Sequence, residues 1–471
     1  MRICTEEHLN STINDMFNFE DRLKALTLKV YPSNSLRDLV IDDLLPVLQE
    51  LREKLLIERT ELKKQIGWQI SSQVKAIVNF WWNGYFQLIV NAISVADLKS
   101  SPFEIIEVFR LIISRIDSSE FEIITVPSND LNFTFRELWQ YVKDILQNEV
   151  GISNFNRKKF IELTFPNQHK DNVFLSGIYA HEIGHYFDKN KGIWSKIFTD
   201  NMFKNKDTFF NEIRPFFEKR NGQPVTEIEI ISVLESYVLG HWIREAVADC
   251  VAVYLLGPAF MFSFQELLVS LVGRDLIRHD VIVNIGSITH PRNSMRFDFQ
   301  LSILKDMGLY DFLDVKIKDT LEIIKDDWEN ATTVYDVRMV GDSNLILHLT
   351  NDSYRILEGF WKGCLSEVQK EVSNLIGDNC LTQQHLEEAM NLSKDKLKWL
   401  VPPNEISEGV PANVQAIINS GWFTKLLYKD DILNLIQSFE NDKKDYEFDN
   451  LINRLLKYSL HASNIQERWK E

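Results

Sequence analysis

Apolar residues recur every three to four positions through most of this chain, with Asp, Glu, Lys and Arg between them, which is the period of a half-buried helix. Leu36 to Trp68 carries that pattern, and Pro46 is expected to split it because proline cannot continue a helical hydrogen-bond ladder. Val74 to Ile93 predicts another helix, with Phe80-Trp81-Trp82 assigned to a core. Ser33, Ser35 and Ser100-Ser101-Pro102 mark breaks. Phe121–Val126 and Phe160–Phe165, the latter ended by Pro166, predict two strands. Asn172 then offers an N-cap to Val173–Ala180, a run too apolar for an exposed helix, and Lys191-Gly192 supplies a stop. Thr226-x-x-Glu229 predicts a capping box that opens a further helical region, closed at Gly257-Pro258. Phe209 to Lys219 is expected to be helical. Val334–Met339 and Leu345–Leu349, around Gly341-Asp342-Ser343-Asn344, predict a hairpin. Leu397 to Pro411 predicts a loop, and Asp442-Lys443-Lys444-Asp445 a second break.

Composition narrows the class. A chain of 471 residues, 45% hydrophobic and 25% charged, is long enough for two or three domains with substantial cores. A net charge of −16 argues against a general binder of nucleic acid or anionic membrane. The most membrane-like segment, Cys250 to Phe264, is only 15 residues long and is interrupted by Gly257-Pro258. A span needs about 20, so a buried helix, a kink and a second buried helix are expected instead. Cys4, Cys250, Cys364 and Cys380 form no C-x-x-C pair, and Met1 to Glu7 lacks the apolar core of a secretory signal. Both point to a reducing, cytoplasmic setting.

The candidate chemistry lies in His181-Glu182-Ile183-Gly184-His185, an H-E-x-x-H run on the helix expected after Asn172. Histidines at i and i+4 project from one helical face. They can hold one Zn²⁺, with Glu182 beside them as a general base. A catalytic zinc takes three protein ligands and one open position. The third histidine of H-E-x-x-H-x-x-G-x-x-H is absent, since Asp188 and Lys191 occupy the glycine and histidine positions. Glu245, in His241-Trp242-Ile243-Arg244-Glu245-Ala246-Val247-Ala248-Asp249, is the leading third ligand, 60 positions after His185 (245 − 185), and His241 is its rival. Glu245 and Asp249 share a face, so Asp249 can accept the second N–H of a ligand histidine. Small Ala246 and Ala248 would allow close helix approach.

Thr289-His290-Pro291-Arg292-Asn293-Ser294-Met295-Arg296 completes a set of three motifs. H-E-x-x-H, then E-A-x-A-D, then T-H-P with an arginine six residues after its histidine, resembles the gluzincin metallopeptidases. The nearest group is that of the CAAX prenyl proteases and heat-shock membrane proteases, without their spanning helices. The resemblance runs from about Phe160 to Arg296. It implies His181, His185 and Glu245 as zinc ligands, Glu182 as general base, Asp249 behind the ligands, and His290 and Arg296 near the cleft. It also implies a mainly α (α+β) protein. A zincin-like core with a small sheet would occupy 121–310, between helical regions 1–120 and 311–471. Phe160–Phe165 is then either the candidate edge that holds substrate as an added strand or a strand that merely covers the helix.

The expected function is a soluble zinc metalloendopeptidase acting on a protein or peptide substrate. Glu182 would move the proton and His290 would donate to the oxyanion, with Tyr186 and Tyr237 as weaker donors. The helical flanks would limit access or engage a regulatory protein partner. The alternative is a helical binding or scaffold protein whose zinc site is structural or vestigial.

Overall fold

The chain divides after Lys170 into two units, 1–170 and 171–471. The structure is a computed structural model describing residues 2–64, 70–117, 121–130, 133–153, 159–204, 206–219, 221–272, 279–282, 289–335, 345–436 and 443–468. It is mainly helical with small sheets. Among the described residues no helix is long and apolar enough to cross a membrane.

The first unit carries helices α1 (Arg2–Leu26), α2 (Asn34–Asp38), α3 (Leu45–Lys64), α4 (Ser72–Trp82), α5 (Tyr85–Val95), α6 (Phe103–Ile116) and α7 (Leu138–Ile145). Its strands are β1 (Phe121–Ser128), β2 (Thr134–Arg136) and β3 (Lys159–Pro166). The chain stays helical through Pro46 rather than splitting there, a wide π-helical turn over Leu39–Leu44 leading directly into α3. Trp68, the expected end of that helix, lies outside the described residues. The helix expected over Val74–Ile93 is two, because Asn83-Gly84 breaks it between α4 and α5. Phe80, Trp81 and Phe86 interlock with Phe19 of α1 in the core, whereas Trp82, expected there too, is 54% exposed.

The sheet order is β1-β3-β2, β1 parallel to β3 and β2 antiparallel to it. Phe160–Phe165 is therefore the central strand rather than an edge. Glu162–Thr164 pair on both sides, so their backbone groups are not available to an added substrate strand. The sequence held that signal: Phe160, Ile161, Leu163 and Phe165 are all buried, as on a strand covered on both faces. Residues 121–170 thus belong with the N-terminal helices, and the division differs from the 120/121 and 310/311 boundaries expected above.

The second unit begins with a 3-10 turn over Val173–Leu175, capped by the Asn172 side chain on the Phe174 N–H. It runs into α8 (Ser176–Lys191), which Gly192 ends in the left-handed conformation at φ +62°. Helices α9 (Ile193–Lys204) and α10 (Lys206–Ile213) follow, then strand β4 (Phe217–Lys219). The helix expected over Phe209–Lys219 thus ends at Ile213, ahead of Pro215. The Thr226/Glu229 capping box forms and starts α11 (Glu227–Val233). A π-helical turn over Leu234–Val238 leads to α12 (Leu239–Leu256), and Gly257 separates it from α13 (Pro258–Val272).

Beyond these lie β5 (His279–Ile282), α14 (Asn293–Asp306), α15 (Val315–Glu329), β6 (Thr332–Tyr335), β7 (Leu345–Leu347) and α16 (Asn351–Ile376). The chain closes with α17 (Gln383–Asp395), β8 (Glu405–Ser407), β9 (Val410–Pro411), α18 (Val414–Leu427), α19 (Lys429–Leu435) and α20 (Lys444–Arg468). The expected hairpin does not form between its described parts. β6 pairs parallel with β5, and β7 pairs antiparallel with β4. The intervening Gly341–Asn344 turn lies outside the described residues.

α12 is the hub of this unit, buried along nearly its whole length and contacted by α8, α9, α13, α14, α16 and α18. A Cβ on Gly184 of α8 would stand 2.5 Å from the Cα of Ala248 on α12. Only glycine fits there, and that contact sets the distance across which side chains of the two helices meet. Gly184→Ala is expected to cost at least about 2 kcal/mol, because the clash is with backbone that cannot swing away. A denaturant midpoint equal to wild type would show that the helices stand farther apart.

Candidate metal centre

Three elements of the second unit converge on one point. α8 presents His181 and His185, one turn apart, their rings 4.8 Å centre to centre and nearly perpendicular. α12 presents Glu245 opposite them. His181 Nε2 lies 3.4 Å from Glu245 Oε2, and His185 Nε2 lies 3.5 Å from Glu245 Oε1. One ligand atom from each of the three falls within 4.8 Å of the others.

α14 and the residues before it complete the surroundings. The Arg296 guanidinium donates through Nε and Nη2 to Asp249 Oδ2 and Oδ1 at 2.8 and 2.7 Å. Asp249 Oδ1 also stands 2.9 Å from His181 Nδ1. His290 Nε2 reaches to 3.5 Å from Glu245 Oε1, while its Nδ1 meets Thr289 Oγ1 at 2.9 Å. Glu182 is 8% exposed on the metal helix. Six of the seven residues named from the sequence motifs are joined by these contacts, and Glu182 lies near enough to act on the Arg296 charge. His241 lies near enough to interact with the charges of Glu245 and His290 but falls outside the ligand group, its ring engaged with the Ser236 carbonyl at 3.0 Å. Tyr186 is fully buried, and Tyr237 is half-buried in the turn before α12.

Two contributors were missed. Phe260 of α13 stacks on His181 with 9° between the planes, and Arg296 lies 4.6 Å from the Phe264 ring. Their i, i+4 spacing in an apolar run was the available signal, but it is the same signal an ordinary core face gives.

The electrostatics ask for a cation. Burial opposes a charge on His181, yet the Asp249 and Glu245 carboxylates outweigh it and push its pKa up to about 10. Burial pulls His185 down to about 4, against the attraction of Glu245. Burial also works against ionising Glu245, but His290 and Arg296 hold its carboxyl well below the usual range. Asp249 is likewise lowered, burial being outweighed by Arg296. Glu245 Oε2 has no hydrogen-bond donor, because Arg296 Nη2 at 3.1 Å stands beside it out of alignment. His181 Nδ1 faces Asp249 and its Nε2 faces Glu245, so the protonated ring sits between two carboxylates, in the place a metal cation would take instead. Two ligands bound about 2.0–2.2 Å from one tetrahedral ion stand roughly 3.4 Å apart; the two histidine–Glu245 contacts match that edge, while one ligand atom from each residue groups only within 4.8 Å. The residues therefore fit a metal ion with nitrogen and carboxylate ligands.

Asp188, one turn after His185, gives a pH prediction. Its Oδ1 accepts from the Trp194 N–H at 2.8 Å. Burial lifts its pKa up to about 7, against the Trp194 hydrogen bond and the Arg244 charge. The folded value lies above the unfolded one, so the folded state keeps the proton longer. This contribution to stability is full below about pH 4 and is lost as pH rises through 7. Asp188→Asn in metal-free protein is therefore expected to gain stability relative to wild type between pH 5 and pH 8, read by thermal unfolding. Parallel curves would contradict it.

Comparisons with models of known protein families, with curated proteins and with solved structures find no match to this chain.

Proposed function

We propose that this chain is a zinc-dependent peptidase of the gluzincin kind. The observation that carries the reading is the buried His181–His185–Glu245 trio, backed by Asp249 and Arg296, with Glu182 next to a ligand in sequence. A structural zinc site has no use for a general base beside its ligands. Zinc bound there would supply a Lewis acid for a scissile carbonyl and for the attacking water.

The remaining steps belong to the chain. Asp249 fixes the His181 tautomer, so that Nε2 offers its lone pair to the metal. Arg296 offsets the charge of both carboxylates behind the ligands. Glu182 takes the proton of the attacking water and passes it to the leaving amine, one carboxylate serving as base and then as acid. His290, its side chain 56% exposed, donates from Nε2 to the oxygen that gains charge in the transition state. The substrate is a protein or peptide. Cys250 and Cys364, buried and unpaired, support placement in a reducing compartment such as the cytoplasm.

Peptide-bond cleavage is the test. Zinc-loaded chain is incubated with a mixture of unfolded proteins, and newly formed N-termini are sequenced. New termini with wild type, and none with zinc-loaded Glu182→Gln, support the reading. Equal termini from both would contradict it.

A further inference from the structure

The first unit holds a cavity of about 290 Å³. One face of α1 lines it, because Asp15, Asn18, Phe19 and Arg22 fall at i, i+3, i+4 and i+7. The facing wall comes from the corner between α4 and α5. Gly84 turns the chain there in the left-handed conformation at φ +74°, and Trp81 and Phe86 on either side of it stand with their rings 6.3 Å apart. Phe19 meets both, its ring 5.3 Å from Trp81 and 5.8 Å from Phe86. The floor is thus three interlocked aromatic rings, of which Phe19 and Phe86 are buried.

Two opposite charges stand above that floor. The Arg22 guanidinium lies 5.0 Å from the centre of the Phe19 ring and donates to Gln87 Oε1 at 3.3 Å. Gln87 is itself steadied, since its Nε2 donates to Asn91 Oδ1 at 2.6 Å. Arg22 is therefore held in place by a ring and a neutral amide. Glu20, two residues before it, is taken by Lys24 at 2.9 Å and by Arg52. Among the described residues neither Arg22 nor Asp15 makes an ion pair. They do not pair with each other, because seven residues separate them by about 10.5 Å along the helix. Helical side chains lean toward the N-terminus, as Arg22 does over Phe19, which shortens the gap between the two charges. An α-amino acid making one contact of about 2.8 Å at its ammonium and another at its carboxylate spans roughly 8 Å, a gap of that order.

We propose that this cavity binds a free α-amino acid with a large apolar side chain. Its carboxylate accepts from Arg22, whose planar guanidinium can donate two parallel N–H bonds to it. Its ammonium donates to Asp15 and to Asn18 Oδ1. Its side chain lies on Trp81, Phe19 and Phe86, which supply area rather than direction, so aromatic and large aliphatic side chains both fit. The volume is near the lower end for small-molecule sites, about 300 Å³, which suits one residue rather than a longer peptide. The two opposite charges require both free termini on that residue. All the groups involved belong to the first unit, so this site stands or falls apart from the metal centre.

Isothermal titration calorimetry of the full chain is the experiment, with phenylalanine, leucine, glycine, N-acetyl-phenylalanine and phenylalanine amide as probes. Phenylalanine and leucine are expected to bind, and glycine is not. Acetylation removes the ammonium and amidation removes the carboxylate. Each change is expected to weaken binding at least about tenfold, the usual scale for a hydrogen bond to a charged group. Arg22→Gln should bind phenylalanine and its amide alike, and Asp15→Asn should bind phenylalanine and its acetyl form alike. Thermal unfolding checks that both variants are folded. No binding of phenylalanine or leucine at millimolar concentration overturns the proposal. So does wild type that binds the acetylated and amidated forms as tightly as the free amino acid, a result that needs no variant.

Discussion

Glu182→Gln is expected to lower peptide-bond cleavage by at least about 10²–10⁴-fold, the usual contribution of a positioned general base, while zinc stays bound. The substitution keeps the size of the side chain and removes only its ability to take a proton. Glu182 is 8% exposed on α8 and is not one of the three grouped ligands, so metal binding does not require its charge. Metal content and turnover should therefore separate. Loss of both together would make Glu182 a ligand or a structural group. Unchanged turnover would favour the scaffold alternative, in which the ion holds helices together and nothing more.

Arg296→Met carries the largest expected cost in stability. Arg296 is 5% exposed and Asp249 is fully buried, and the guanidinium holds that carboxylate through two short hydrogen bonds. It also lies 3.1 Å from Glu245. Removing it leaves two buried carboxylates without their permanent counter-charge. Removing one partner of a buried pair typically costs about 3–5 kcal/mol. The deficit should be greatest in metal-free protein, because a divalent ion would replace part of the lost positive charge. Thermal unfolding with and without zinc measures this. A variant as stable as wild type without metal would show that water already screens the site.

Much of this centre was legible before folding, and for a local reason. His181 and His185 share a face because a helix turns every 3.6 residues, and Glu245 and Asp249 share one for the same reason. The run Val173–Ala180 was too apolar to be exposed, so the first pair had to be buried. Ala248 on the second helix announced a close approach, realised against Gly184. The capping box at Thr226 and the stop at Gly257 follow from side chains and conformations that act within four residues.

What escaped depends on partners far along the chain. Phe160–Phe165 reads as a strand, but whether it is an edge depends on the three residues Thr134–Arg136 that pair with it. β7 reads as half of a hairpin, yet it joins β4 more than 120 residues earlier (345 − 219 = 126). Phe260 and Phe264 look like any core stripe until α13 folds back against α8. The anchoring of Arg292 is invisible in spacing, since its partners include Tyr354, Thr333 and Glu358 on separate elements.

Metal content of the purified chain tests the central claim most directly. Wild type, His185→Ala and Glu245→Ala are purified without chelator, dialysed against zinc, and assayed by elemental analysis. The site described here predicts one zinc per wild-type chain and none retained by either variant. A wild type that holds no zinc after reconstitution, or variants that hold as much as wild type, would contradict it.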